Sequence, residues 1–124
     1  MIPFEYAVLR VVPRIERAEF VNAGVLVYSQ KADYLAAATH VDADRLRALD
    51  PEADVDAVTA AVEAYAAACT DPAAAGPVGA TAIGERFRWL TAPRSTIVQT
   101  GPVHAGLTDD PAEELDRLLR RLVL

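Results

Sequence analysis

Apolar positions along this chain follow two periods, and the change between them separates strands from helices. Residues 4–12 (FEYAVLRVV) are rich in aromatic and β-branched side chains and predict a first strand, ended by Pro13. The stretch 14–19 (RIERAE) is a charged connection. Residues 20–28 (FVNAGVLVY) predict a second strand. Gly24 lies inside it, where glycine marks a bulge or a close backbone approach. SQKAD is a tight turn, and Tyr34–Thr39 is a weaker third strand. Three strands joined by such short links predict an antiparallel meander.

The period then becomes helical. Asp42 before ADRLRAL reads as an N-cap, with Val41 stapled onto Leu46. Asp50-Pro51-Glu52 predicts the start of a second helix, with an Asp cap, Pro at the first position and acid in the first turn. Val55, Val58, Val62, Tyr65 and Cys69 keep one apolar face to about Thr70. Thr70–Gly79 holds two prolines and two glycines and reads as a loop. Residues 81–91 fit both templates. Ile83, Phe87 and Leu90 share a helical face, while Phe87 and Trp89 alternate with Arg86 and Arg88 as in a strand. Helix is favoured, because Thr81 can cap it and Pro93 can stop it. Ser95–Gln99 reads as a short strand and Pro102–Leu107 as an extended or loop segment. The last helix starts at Asp109-Asp110-Pro111. Leu115, Leu118, Leu119 and Leu122 form its buried stripe, and Arg117, Arg120 and Arg121 suit its C-terminal dipole.

These elements predict an α+β fold over one domain, residues 1–124. Its antiparallel sheet has three to five strands, with helices 51–70 and 110–123 packed on one face. The expected core is Val8, Val11, Val25, Val27, Leu46, Val58, Val62, Phe87, Leu115, Leu118 and Leu122. A chain of 124 residues buries roughly two thirds of its unfolded surface, so it needs no disulfide or metal to hold it together.

Charge narrows the function classes. Net charge is −6, but residues 1–32 sum to +1 and 76–108 to +2, against −7 over 33–75 and −2 over 109–124. The overall sign argues against broad nonspecific DNA binding. The two basic segments together would make a local anion site. The single Cys69 cannot form an internal bridge, the N-terminus lacks the pattern of a signal peptide, and no apolar run reaches membrane-span length. The expectation is a cytoplasmic protein. One Cys and two distant His, His40 and His104, have no metal-ligand spacing, and GPVG at 76–79 lacks the Lys of a phosphate loop. No metal or other cofactor is expected.

Chemistry concentrates in residues 85–106, ERFRWLTAPRSTIVQTGPVHAG, with three arginines, the only tryptophan, Ser95, Gln99 and His104. Arg86 and Arg94 can bind an anion in bidentate fashion. The structural reading is favoured, because structural ion pairs are common: Arg86 paired to Glu19 or Glu85, Arg88 solvated, and Arg94 tying down the TAPR turn. His104 is a candidate acid/base, Ser95 a candidate nucleophile, and Glu19 or Asp109 a candidate orienter of the imidazole. No G-x-S-x-G elbow supports them, and a histidine that only closes a loop is the competing reading. Arg10, with Glu19, Asn22 and Gly24, would complete a polar pocket or merely shape the strands. Trp89, Phe87 and Phe20 would stack a base, or fill the core.

The stretches VLRVVPRIERAEFVNAGVLVYSQ, RLRALDP, AGPVG and ERFRWLTAPRSTIVQTGPVHAGL, followed by a DP-initiated helix, resemble the bacterial DUF3037 family from about Glu5 to Val123. The resemblance implies a small stand-alone bacterial protein of unassigned function, and a partner in the form of a HipA-like protein kinase. It assigns no catalytic residue.

Two function classes follow. One is a non-catalytic interaction or regulatory module whose surface is anchored by Arg94, with Trp89 and His104 near it. The other is a small hydrolase or transferase for an anionic, nucleotide-like substrate. It would use His104 as acid/base, Arg86 and Arg94 as anion binders, and Ser95 or Gln99 as donors to the transition state. The first is favoured, because neither fold nor resemblance supplies a reaction. An exposed strand edge is also a route to a homodimer, though the pattern does not say which strand is the edge.

Overall fold

The computed structural model describes residues 1–124, apart from the side chains of residues 78 and 80. The first three strands form the expected meander: β1 (Ile2–Val11), β2 (Val21–Ser29) and β3 (Tyr34–Thr39) lie in the order β3-β2-β1. At Leu9/Arg10 the register slips, because Gly24 faces Leu9 while Asn22 faces Arg10. Ala23 is thus the extra residue of a bulge. Gly24 also answers a close approach. A Cβ there would sit 2.8 Å from the Ala38 carbonyl oxygen.

Asp42 caps α1 (Ala43–Leu49) by accepting the amides of Asp44 and Arg45, and Val41 packs against the cluster that holds Leu46. The start of α2 (Val55–Thr70) differs from the expectation. Asp50 is the C-cap of α1 and accepts the Glu52 amide across a turn, while Asp54 caps α2 through the Ala57 amide. Two Asx caps lie four residues apart, and the one nearer the apolar periodicity starts the helix. Residues 83–90 are helical, as α3 (Ile83–Leu90). Its N-cap is Ala82 without a side-chain bond, rather than Thr81. A short 3-10 turn (Gly76–Ala80) precedes it.

The return strand begins later than Ser95. Its first bond to β1 runs from the Val12 amide to the Ile97 carbonyl at 2.7 Å, and β4 is Val98–Thr100. Of the two readings of Pro102–Leu107 the extended one holds: most of it becomes β5 (His104–Thr108), which pairs with Ile2–Tyr6. Between the two, Gly101–Val103 lies opposite only Ala7 and Val8, with the Gly101 amide donating to the Val8 carbonyl at 2.8 Å. The Gly-Pro pair makes a bulge in one interrupted edge instead of ending it. The last helix, α4 (Pro111–Leu122), is capped by Asp110 with Pro at its first turn.

The α+β class and the antiparallel sheet of five strands agree with the pattern, but the helices divide between the two faces. Leu9, Leu26, Tyr28 and Leu35 point into a cluster with Leu46, Val62, Cys69, Phe87 and Leu90 from α1, α2 and α3. Phe4, Val25 and Val27 point the other way, against Leu115, Leu118 and Val123 around α4. β2 is buried along most of its length on both sides, and a strand buried on both sides needs a cover on each. Leu122 is exposed on the rim, and Val123, 2% exposed, takes the buried position expected of it. Asn22 and Arg45 hold that end by donating to the carbonyls of Leu122 and Val123, both at 3.0 Å. Val8 and Val58 are half-buried instead of core. Among the described residues, no helix is long and apolar enough to cross a membrane.

Candidate functional site

α3 and the link after it place Arg86, Arg88 and Arg94 in three different environments. Arg86 points inward and is 6% exposed. Its Nη1 donates to the Cys69 carbonyl at 2.9 Å, and its Nε is buried with no partner among the described residues. Cys69 lies in the last turn of α2, which carries no basic residue of its own. The guanidinium therefore sits at the negative end of the α2 dipole and supplies the missing cation. Neither Glu19 nor Glu85 is its partner. Arg88 reaches back to β1 and pairs with Glu5 at 2.7 Å, so it is not merely solvated.

Arg94 does tie down its turn. Its guanidinium lies 4.5 Å from the Trp89 ring centroid and 5.6 Å from that of Tyr65, and its Nη2 donates to the Trp89 carbonyl. Tyr65, from α2, donates its hydroxyl to the Leu90 carbonyl, and burial pushes its phenol above the ordinary tyrosine value. A stacked set of Trp89, Arg94 and Tyr65 thus locks the end of α3 to α2.

The other candidates are scattered. His104 lies on β5, exposed on the α4 face, with its ring 5.2 Å from Tyr6. Arg94 stacks on the helices of the opposite face. Ser95 is exposed in the link before β4. Glu19 is bound by Arg17 at 2.5 Å, and that hydrogen bond holds its carboxyl below the usual range. It follows the far end of β1 from the residues that β5 pairs with, so it does not orient His104. Gln99 donates to the Thr96 carbonyl at 2.7 Å. Arg10 covers Phe20 at 4.3 Å and approaches Gly101. Phe87 is fully buried, so Trp89, Phe87 and Phe20 form no shared stacking platform. Among the described residues, no three His, Cys, Asp or Glu side chains gather as metal ligands would.

What the structure does assemble is a groove of about 550 Å³ between the N-terminal half of α2 and the chain entering β4. Its floor is apolar, from Ala57, Val58, Ala61, Ile97 and Val98. Ile97 is 46% exposed in it. Asp50, Glu52 and Asp54 stand on one rim and Arg94, with Tyr65, on the other. Arg14 answers Asp50 and Glu52 at 3.4 and 3.7 Å. Of these residues, sequence reasoning pointed only to Arg94 as a site residue. The available signal was the outer face of α2, where Ala57, Ala60, Ala61 and Ala64 replace the charges a solvated helix normally carries.

Cys69 is no nucleophile. It is 1% exposed, and burial pushes its thiol up to about 12. Its thiolate fraction near neutral pH is on the order of a thousandfold below that of an exposed cysteine. Iodoacetamide is expected to label Cys69 in denaturant and to leave the native protein unlabelled over the same time. Equal rates would mean that the end of α2 opens to solvent.

Comparison with curated proteins and with solved structures finds no match. Nearly all of the architecture described above falls within a family match: positions 6–123 match the model of DUF3037, described as a protein of unknown function, and the chain belongs to that family.

Proposed function

We propose that this protein is a non-catalytic interaction module that binds an apolar segment of a partner protein in the groove between α2 and β4. The observation that carries this reading is the combination of an apolar floor, an exposed Ile97 and rims of opposite charge. Such a surface suits an amphipathic segment whose apolar side chains cover Ala57, Ala61 and Ile97 and whose basic residue meets Asp54, the rim carboxylate that Arg14 does not pair. The stacked Arg94 fixes the far wall. A HipA-like kinase as that partner rests on the resemblance alone; the groove adds the chemistry that the docking segment requires.

The hydrolase or transferase reading needs Arg86, Arg94, His104 and Ser95 or Gln99 around one point. Arg86 is turned into the α2 terminus, and His104 and Arg94 belong to opposite faces of the sheet. Those positions weigh against it.

Selection from a phage library of linear peptides tests the proposal. Enriched sequences should combine apolar residues with a Lys or Arg at one end. Ala61→Arg, an exposed helical position that tolerates arginine, should weaken the selected peptides at least about tenfold, equivalent to about 1.4 kcal/mol. Peptides that bind Ala61→Arg as tightly as wild type would place recognition elsewhere, and failure to enrich any peptide would end the proposal.

A further inference from the structure

The two edges of the sheet are protected very differently. β3 is flanked by α2 on one face and by α4 on the other. Among the described residues β5 packs extensively only on β1, and HAGLT carries none of the Lys, Glu or Pro that usually blunt an edge. Which of its backbone groups are free follows from the ladder. The Val8 carbonyl accepts from Gly101 and the Val12 amide donates to Ile97, so the even-numbered residues of β1 turn their polar groups toward this edge. The Pro3 carbonyl accepts from Ser29 on the other side. His104, Gly106 and Thr108 face even-numbered β1 residues and bond inward, while Ala105 and Leu107 face Glu5 and Pro3 and direct their N–H and C=O outward.

We infer that β5 is a homodimer interface, on which a second copy pairs antiparallel about a two-fold axis at Gly106. In that register Ala105 of each copy exchanges both of its hydrogen bonds with Leu107 of the other, so all four outward pairs are satisfied. Gly106 meets Gly106 at the axis. Leu107, 60% exposed, is covered by its counterpart's edge.

Charge selects a second copy as the occupant. Beside Pro102 and Val103 the edge ends in a hollow whose charged residues are Arg10 and Arg94. Beside Leu107 and Thr108 it ends in a hollow bearing Asp109, Asp110, Glu113 and Glu114 against Arg117 and the Met1 amino group. Antiparallel pairing brings the basic end of one copy to the acidic end of the other, twice per dimer. This surface shares only Arg94 with the α2 groove, and neither Ala61→Arg nor the edge variants alter that residue, so the two proposals can fail separately.

Sedimentation velocity over a concentration series, at low and high salt, tests the inference. The wild-type protein should dimerise, and less tightly in high salt. Leu107→Pro removes only an outward N–H, so it should retain the native circular dichroism and melt and run as a monomer. Ala105→Lys/Leu107→Lys, both at exposed positions, sets lysine opposite lysine across the axis. It should raise the dissociation constant at least about tenfold. A wild-type protein that stays monomeric throughout overturns the inference. So does a double-lysine variant that dimerises as tightly as wild type.

Discussion

Phe87→Ala should lower the stability of this protein by about 3–5 kcal/mol, a large part of the whole for a chain of this size. Phe87 is fully buried and stacks on Tyr28 with ring centroids 5.1 Å apart. It is the main apolar anchor between α3 and the sheet. Removing the ring forfeits its transfer free energy and leaves a cavity walled by β2 and α2, elements too regular to collapse into it. Urea unfolding should show a lower midpoint with an unchanged slope. The loss should also spread to the groove, because α3 presents the Leu90 carbonyl to Tyr65 and the Trp89 carbonyl to Arg94. A loss below about 1 kcal/mol would mean that α3 is not docked as described.

Phe87 also illustrates what was readable in the sequence. Its helical spacing with Ile83 and Leu90 placed it in the core, and the strand alternative failed because Arg86 and Arg88 do not share a solvent face. One is buried against α2 and the other is paired to β1. The meander, α1 and α4 were legible because each is marked locally, by β-branched runs or by an Asp cap. β5 was not. His-Ala-Gly-Leu-Thr has no intrinsic strand signal, and it is extended because Phe4 and Tyr6 lie across from it. The Phe4 ring lies so close over Gly106 that a Cβ there would come within 2.8 Å of it. The division of helices between two faces was implicit in Val25-Leu26-Val27-Tyr28, an unbroken apolar run that one-sided packing would leave half exposed.

The concentration of polar residues in 85–106 is real, and several of them have partners inside the fold. Trp89 and Arg94 lock two helices together, and Gln99 ties a turn. A sequence lists side chains that are able to bind, without saying which have already found partners inside the fold. The groove was the converse case. Its floor is built from alanines of α2 and from Ile97, thirty-six residues after Ala61, and neither carries chemistry that draws the eye.

Arg86 is where the two readings of that segment diverge most, and its removal should separate them. Arg86→Ala is expected to destabilise the fold by about 2 kcal/mol or more. A hydrogen bond from a charged donor contributes about 1.5–3 kcal/mol, and a cation at a partly buried helix C-terminus up to about 2. Desolvation of the guanidinium opposes both, at several kcal/mol for a buried ion. That opposing contribution disappears with the side chain, but the Cys69 carbonyl then loses its donor and a cavity remains. Arg86→Met also removes the charge, yet it fills most of the volume and should lose less than Arg86→Ala. Peptide affinity should be unchanged in both, measured well below their melting temperatures, because Arg86 does not reach the groove. An anion-binding role predicts the reverse pattern: an Arg86→Ala protein as stable as wild type that has lost a ligand. Stability and affinity measured on the same two variants therefore decide whether this arginine holds the end of α2 or serves a site.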